Sequence, residues 1–166
     1  MGVRAAGAIC AVVLILSGPA AFVLQSQHRD RHQPEFLAEG PTILGDATTY
    51  NPLQPGYREG GLETASGEFY DPEGWTAAIQ IDMRGRFGGV EYGKLYRPAY
   101  ALVVSADKKA IVKINDVGTL APGRVIDLNA RTMRFFDPSM ERGVVHLVQV
   151  TPLLGGNWSP GPVESD

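Results

Sequence analysis

Cysteine is nearly absent from this chain. Cys10 stands alone, so no intrachain disulfide and no cysteine-built zinc cluster can form. Neither sign of charge dominates: 15 Lys and Arg face 18 Asp and Glu, for a formal net charge of −3. Without a dense basic stripe, a general nucleic-acid binder is excluded, and nucleic acid is not an expected partner. There is no internal repeat, no P-loop, no GxGxxG fingerprint and no GxSxG elbow. Those absences remove the common nucleotide-binding and serine-hydrolase signatures. Nothing in the sequence calls for a cofactor, and no metal-ligand set is formed. His28 and His32 have an i, i+4 spacing, but no third ligand stands near them, and they read as solvated linker residues.

Long apolar runs are also missing, with one exception. From Ala5 to Leu24 the chain reads "AAGAICAVVLILSGPAAFVL", preceded by the basic Arg4. A short positive stretch followed by an apolar one is the pattern of an export segment. Cleavage after the small residues near Ala20 is compatible with the sequence. So is retention, because about 20 apolar residues are enough to span a bilayer. Residues 1–26 are therefore expected to be a signal peptide or a membrane anchor. Cys10 has too little apolar sequence ahead of it for lipid modification and reads as part of the run. Residues 27–44 are polar and without sustained period, which predicts a linker.

What the chain does have is 20 Gly, 12 Pro and a set of short β-branched runs. "DATTYNP", "YALVVSA", "AIVKIN", "RVIDL" and "GVVHLVQVTPL" all predict strands, with "DKK" as a hairpin turn between the second and third. "GWTAAIQIDMRGRFG" predicts a short helix with Ala77, Ala78, Ile81 and Met83 on one apolar face. "NARTMRFFDPSM" predicts a second helix closed by Asp-Pro, with Met133 and Phe136 turned to the core. The Gly/Pro-rich end, residues 153–166, is expected to be a flexible tail. The pattern is mainly β: a small barrel with short helical insertions.

Two acidic stretches could carry chemistry. In "AIVKIND", alternation puts Val112, Ile114 and Asp116 on one face, and Ile111, Lys113 and Asn115 on the other. Asp116 thus continues an apolar series, and a carboxyl at such a strand end would have its pKa raised by desolvation. Asn-Asp-x-Gly is also ordinary turn chemistry, and that reading stays open. In "TASGEFYD", Glu68 and Asp71 follow a Ser-Gly turn, either as a site or as an exposed loop pair. Tyr70 and Trp75 have the ring faces to stack on a sugar, or to fill a core. Asp127 reads as a structural hydrogen-bonding residue, and His146 as a satisfied strand histidine.

"DATTYNP", "TASGEFYD", "WTAA", "VKIND", "PGRVIDLN" and "VVHLVQV" follow one another in an order that resembles the RlpA-like (rare lipoprotein A) double-psi β-barrel domain. That family is related in fold to expansins and barwin-type domains. The resemblance covers residues 45–152 and implies a six-stranded double-psi barrel acting on bacterial cell-wall glycan. RlpA-like enzymes are lytic transglycosylases, some preferring strands stripped of stem peptides. Carried over to this chain, the resemblance implies Asp116 as catalytic acid/base and Glu68 as its companion, binding sugar or tuning Asp116. Asp71, Tyr70, Trp75 and Arg124 are the candidate substrate-binding residues. The chain departs from the family pattern at two places: Ile79 stands where a histidine follows Thr-Ala-Ala, and Val117 stands where an arginine follows the Asp.

Two functions are compatible with this reading. One is an exported, monomeric lytic transglycosylase that leaves 1,6-anhydro-N-acetylmuramic acid ends on peptidoglycan strands. The other is a non-catalytic, expansin-like module that binds glycan and loosens the wall.

Overall fold

The computed structural model describes residues 41–56, 61–87, 97, 99–153, 155 and 157–164. The expected export segment at 5–24, Cys10, the His28/His32 pair and most of the expected linker lie outside the described residues.

Among the described residues seven strands are formed: β1 (Ile43–Thr49), β2 (Thr76–Gln80), β3 (Ala99–Ser105), β4 (Lys108–Gly118), β5 (Arg124–Leu128), β6 (Val144–Leu153) and β7 (Gly161–Val163). Six of them close on themselves in the order β2-β5-β1-β6-β3-β4, with β4 pairing back to β2. Two pairs, β1 with β5 and β2 with β4, are parallel; the other pairings are antiparallel. The result is the expected closed double-psi barrel, which leaves the sheet without a long unpaired edge. Ala47, Ile79, Val103, Val112, Ile114, Ile126, Leu128, Val148 and Val150, all fully buried, fill its interior. β1 and β5 lie so close that a Cβ on Gly45 would come within 2.8 Å of the Gly123 carbonyl.

The helix expected over "GWTAAIQIDMRGRFG" is not formed. Thr76–Gln80 is a strand, and Ile81–Phe87 is a 3-10 helix that buries Phe87 and leaves Ile81 exposed. The physical reason is tertiary. β2 is bonded on both edges and buries Ala77, Ala78 and Ile79 in succession. Helix propensity amounts to a few tenths of a kcal/mol per residue and cannot compete with two complete ladders.

The second expected helix is present as α1 (Ala130–Phe136), with Met133 and Phe136 buried. Asn129 caps its start, accepting the Thr132 N–H at 3.0 Å. The same buried side chain donates to the carbonyls of Asp71, at 2.9 Å, and Gly74. At the far end Lys108 Nζ donates to the Phe135 and Phe136 carbonyls at 2.7 and 3.2 Å. The hairpin between β3 and β4 turns on Ala106 and Asp107, so Lys108 already belongs to β4.

The C-terminal segment also differs from expectation. Instead of remaining a loose tail, Gly161–Val163 pairs with residues 109–111 of β4. Val163 and Trp158 pack against a second cluster of Tyr100, Ile111 and Leu153. The segment covers the half of β4 that β2, bonded to 113–118, does not reach.

Candidate functional site

The site is built where β4 ends and a tight hairpin folds over it. Glu63 and Phe69 pair across this hairpin, and its turn is closed by Gly67 N–H donating to the Thr64 carbonyl at 2.8 Å. Gly67 adopts φ 80°, a left-handed conformation suited to glycine. Two backbone-directed bonds fasten the hairpin to β4. Ser66 N–H donates to the Asn115 carbonyl at 3.1 Å, and Ala65 N–H donates to Asp116 Oδ1 at 2.9 Å.

β4 carries one extra residue here. Ala77 pairs with Ile114 but Ala78 pairs with Asp116, so Asn115 is bulged. Strict alternation would send Asn115 and Asp116 to opposite sides. At the bulge both side chains bond groups of the same hairpin: Asn115 Nδ2 donates to Glu68 Oε2 at 3.2 Å, while Asp116 accepts from Ala65. Glu68 Oε1 is ion-paired to Lys113 Nζ.

The two carboxyls are shifted in opposite directions. Burial pushes Asp116 above the ordinary carboxyl range, and the Ala65 and Val117 N–H groups and the Tyr50 hydroxyl oppose this without cancelling it. Burial also pushes Glu68 upward, but bonds from Lys113, Asn115 and Ser66 outweigh it and leave Glu68 below its ordinary value. At one strand–hairpin junction stand an acid biased toward keeping its proton and one biased toward losing it. That is the arrangement in which one carboxyl can donate a proton while its neighbour stays charged.

The other candidate residues are distributed more widely. Asp71 is exposed, and its carboxylate accepts the Glu73 N–H at 2.9 Å in a local turn. Tyr70 is buried: its hydroxyl donates to the Tyr50 carbonyl at 3.2 Å and accepts the Ala130 N–H at 3.2 Å. Its ring meets the Tyr50 ring edge-on, with centroids 4.9 Å apart. Trp75 is partly buried, with Arg131 over its ring at 5.3 Å and Phe135 against it at 5.4 Å. Arg124 opens β5 opposite Asp46, in a different cluster that includes His146. Thus the structure brings Asp116 and Glu68 together, puts Tyr70 behind them through Tyr50, and commits Trp75 and Asp71 to other contacts.

Asp127 accepts a bond from the Thr48 hydroxyl and ties β5 to β1. His146 is exposed at a bulge opposite Asp46, with Nδ1 3.0 Å from Asp46 Oδ2. Lys113, Asn115, Tyr50 and the Ala65 amide complete the site and were not among the sequence candidates. A signal for two of them exists in "KIN", where Lys113 and Asn115 recur at the period of a strand face. Among the described residues, no group of His, Cys, Asp and Glu side chains is arranged to hold a metal ion.

A family model described as "lytic transglycolase" matches residues 45–150, from β1 through β6. The chain belongs to this lytic transglycolase family. Within it, 88 residues, 52% of this chain, are 35% identical to the endolytic peptidoglycan transglycosylase RlpA of Yersinia pestis. The matched stretch spans only 19% of the length of that relative. Among solved structures, the Streptomyces papain inhibitor superposes with a TM-score of 0.51 at 17% identity, over 69% of this chain and 96% of that one. That second likeness is one of fold. The family pattern's departures can now be placed: Ile79 is fully buried on β2, paired with Val117 on one side and Ile126 on the other.

Proposed function

We propose that this barrel cleaves peptidoglycan glycan strands as a lytic transglycosylase, with Asp116 as the single acid/base. The observation that carries the reading is the pairing at the end of β4 of a carboxyl biased neutral, Asp116, with one biased charged, Glu68. Family membership and the identity to a peptidoglycan transglycosylase support it.

Protonated Asp116 gives its proton to the glycosidic oxygen between N-acetylmuramic acid and N-acetylglucosamine, and the bond from that oxygen to C1 breaks. The muramyl ring left behind is oxocarbenium-like, and the negative charge of Glu68 favours it. The 6-hydroxyl of the same sugar bonds to C1 and returns its proton to Asp116, leaving a 1,6-anhydro end. Both backbone N–H bonds to Asp116 fall on Oδ1, so the transferable proton belongs on Oδ2. Water is not consumed, and the second carboxylate that a hydrolase spaces for water or covalent attack is not needed. The apolar segment at 5–24 would carry the domain to the cell envelope, as a cleaved signal or a retained anchor. There the barrel would work as a monomer on glycan strands.

One observation favours a second reading, a non-catalytic module that binds glycan and loosens the wall. Ile79, where the family pattern has a histidine, is a fully buried core residue, and Val117 replaces the arginine. The two are separated by incubating the full chain with denuded peptidoglycan strands and searching for 1,6-anhydro ends by mass spectrometry. The enzyme reading expects those ends, and expects Asp116→Asn to abolish them while remaining folded. Retained glycan pull-down without anhydro product would establish the binding module instead.

A further inference from the structure

A mechanism that assigns one of a site's two carboxyls as proton donor needs something to hold the other charged. The structure puts that device on β4. Lys113 and Asn115 are two residues apart on the strand, so both project to one side of it. Lys113 Nζ is ion-paired to Glu68 Oε1, and Asn115 Nδ2 donates to Glu68 Oε2 at 3.2 Å. Each carboxylate oxygen has its own donor, which fixes the plane of the group as well as its position. Asn115 is 4% exposed, whereas the Glu68 side chain keeps 43% of its surface. Asn115 is thus built into the wall, the Lys113 side chain is partly exposed at 23%, and the carboxylate remains open to a ligand.

We propose that Lys113 is a positioning residue of this site: with Asn115 it clamps Glu68 as a fixed, charged carboxylate facing the sugar, and so leaves proton transfer to Asp116 alone. The groups facing Glu68 are Lys113, Asn115 and, from its own hairpin, Ser66. Those facing Asp116 are the Ala65 and Val117 N–H groups and the Tyr50 hydroxyl. Lys113 therefore acts on the site through Glu68.

The proposal rests on the transglycosylase reading for its activity but not for its electrostatics, and the test uses both. Carboxyl-carbon NMR on the full chain follows the titration of Glu68 in the native protein, in Lys113→Met and in Lys113→Arg. The expected result is a Glu68 midpoint that moves to higher pH in Lys113→Met and returns in Lys113→Arg. Anhydro-end formation is expected to fall about fivefold in Lys113→Met, the scale of one partly exposed ion pair. The acid limb of its pH profile should move to higher pH, with recovery in Lys113→Arg. In a Glu68→Gln background, Lys113→Met should cause no further loss, because the two residues act as a unit. A Glu68 titration unmoved by Lys113→Met overturns the clamp, as do losses that multiply in the double variant. If the native chain makes no anhydro product, the transglycosylase reading fails, and the Glu68 titration still decides the clamp.

Discussion

The carboxylate of Asp116 accepts the backbone N–H of Ala65 at 2.9 Å, joining positions 51 residues apart in the chain. This bond does two things at once. It fastens the hairpin that carries Glu68 to the end of β4, and it occupies the oxygen of Asp116 that would otherwise share the acid's proton. The site is therefore not a pair of acids on one strand. It is the junction of a strand end and a distant hairpin.

The bond also has a consequence for stability. Asp116 has a folded-state pKa raised above its unfolded value by burial, so the folded protein binds its proton more tightly than the unfolded chain does. Its contribution is favourable below the unfolded pKa and is lost as pH rises through the folded one. Asp116→Asn keeps an acceptor for the Ala65 N–H and removes that dependence. At pH 7 the variant should melt at a higher temperature than the native protein, and the gap should close at pH values below about 4. Thermal unfolding followed by circular dichroism at pH 3.5 and pH 7 checks this. On the proposed transglycosylase reading, in which Asp116 acts protonated, the same titration should end activity on the alkaline side.

Asn129 joins α1 to the turn before β2 through three side-chain hydrogen bonds. Its buried side chain caps α1 and holds the carbonyls of Asp71 and Gly74 in the turn leading to β2. Asn129→Ala loses the cap and the donor to two carbonyls on partly exposed residues, of which that of Asp71 keeps the Gly74 N–H. A destabilisation of about 2 kcal/mol is expected from a lost cap together with lost hydrogen bonds. Urea unfolding gives the value directly, with an unchanged m-value if the native fold persists.

Leu147 stands at the bulge of β6 with φ 58°, and its side chain is 81% exposed. Its N–H donates to Asp46 Oδ1 at 3.2 Å, a bond that any non-proline residue can make. The left-handed conformation costs a branched residue about 1–2 kcal/mol, and Leu147 recovers little through burial. Leu147→Gly is therefore expected to stabilise the protein by about 0.5–1 kcal/mol after the entropy of glycine is counted. A melting temperature below that of the native chain would show that the exposed leucine has a partner in solution.

Trp158 packs against the cluster of Tyr100, Ile111 and Leu153 and leads into β7. Because it is only partly buried, Trp158→Ala should cost about 2 kcal/mol, less than truncation of a fully buried tryptophan. The loss should appear first as local opening. Limited proteolysis is expected to nick the segment near residues 155–164 before the barrel unfolds.

Much of this protein is legible in the residues alone, because strand and helix formation here follow local chemistry. The β-branched runs around Val103, Val112, Ile126 and Val148 became strands, and Asn129 with Met133 and Phe136 defined α1. Asp127 became a tie between strands, as its place in "RVIDL" suggested. The readings that changed concern residues whose partners lie far away. Thr76–Gln80 is a strand only because β4 and β5 flank it on both sides. Gly161–Val163 is a strand only because part of the β4 edge stands uncovered by β2. Tyr70 and Trp75 have surfaces suited to sugar, but the structure spends them on Tyr50, Arg131 and Phe135.

The same division runs through the site. By itself the sequence determined that an acid ends the apolar face of "AIVKIND" and that another follows the turn in "TASGE", because period and turn chemistry are local properties. Tertiary structure alone decided that these two acids share one strand–hairpin junction, that a bulge at Asn115 turns consecutive side chains to the same hairpin, and that Lys113 and Asn115 lower the pKa of one acid while burial raises that of the other. Those outcomes depend on register, burial and through-space charge, and each is set by residues tens of positions away.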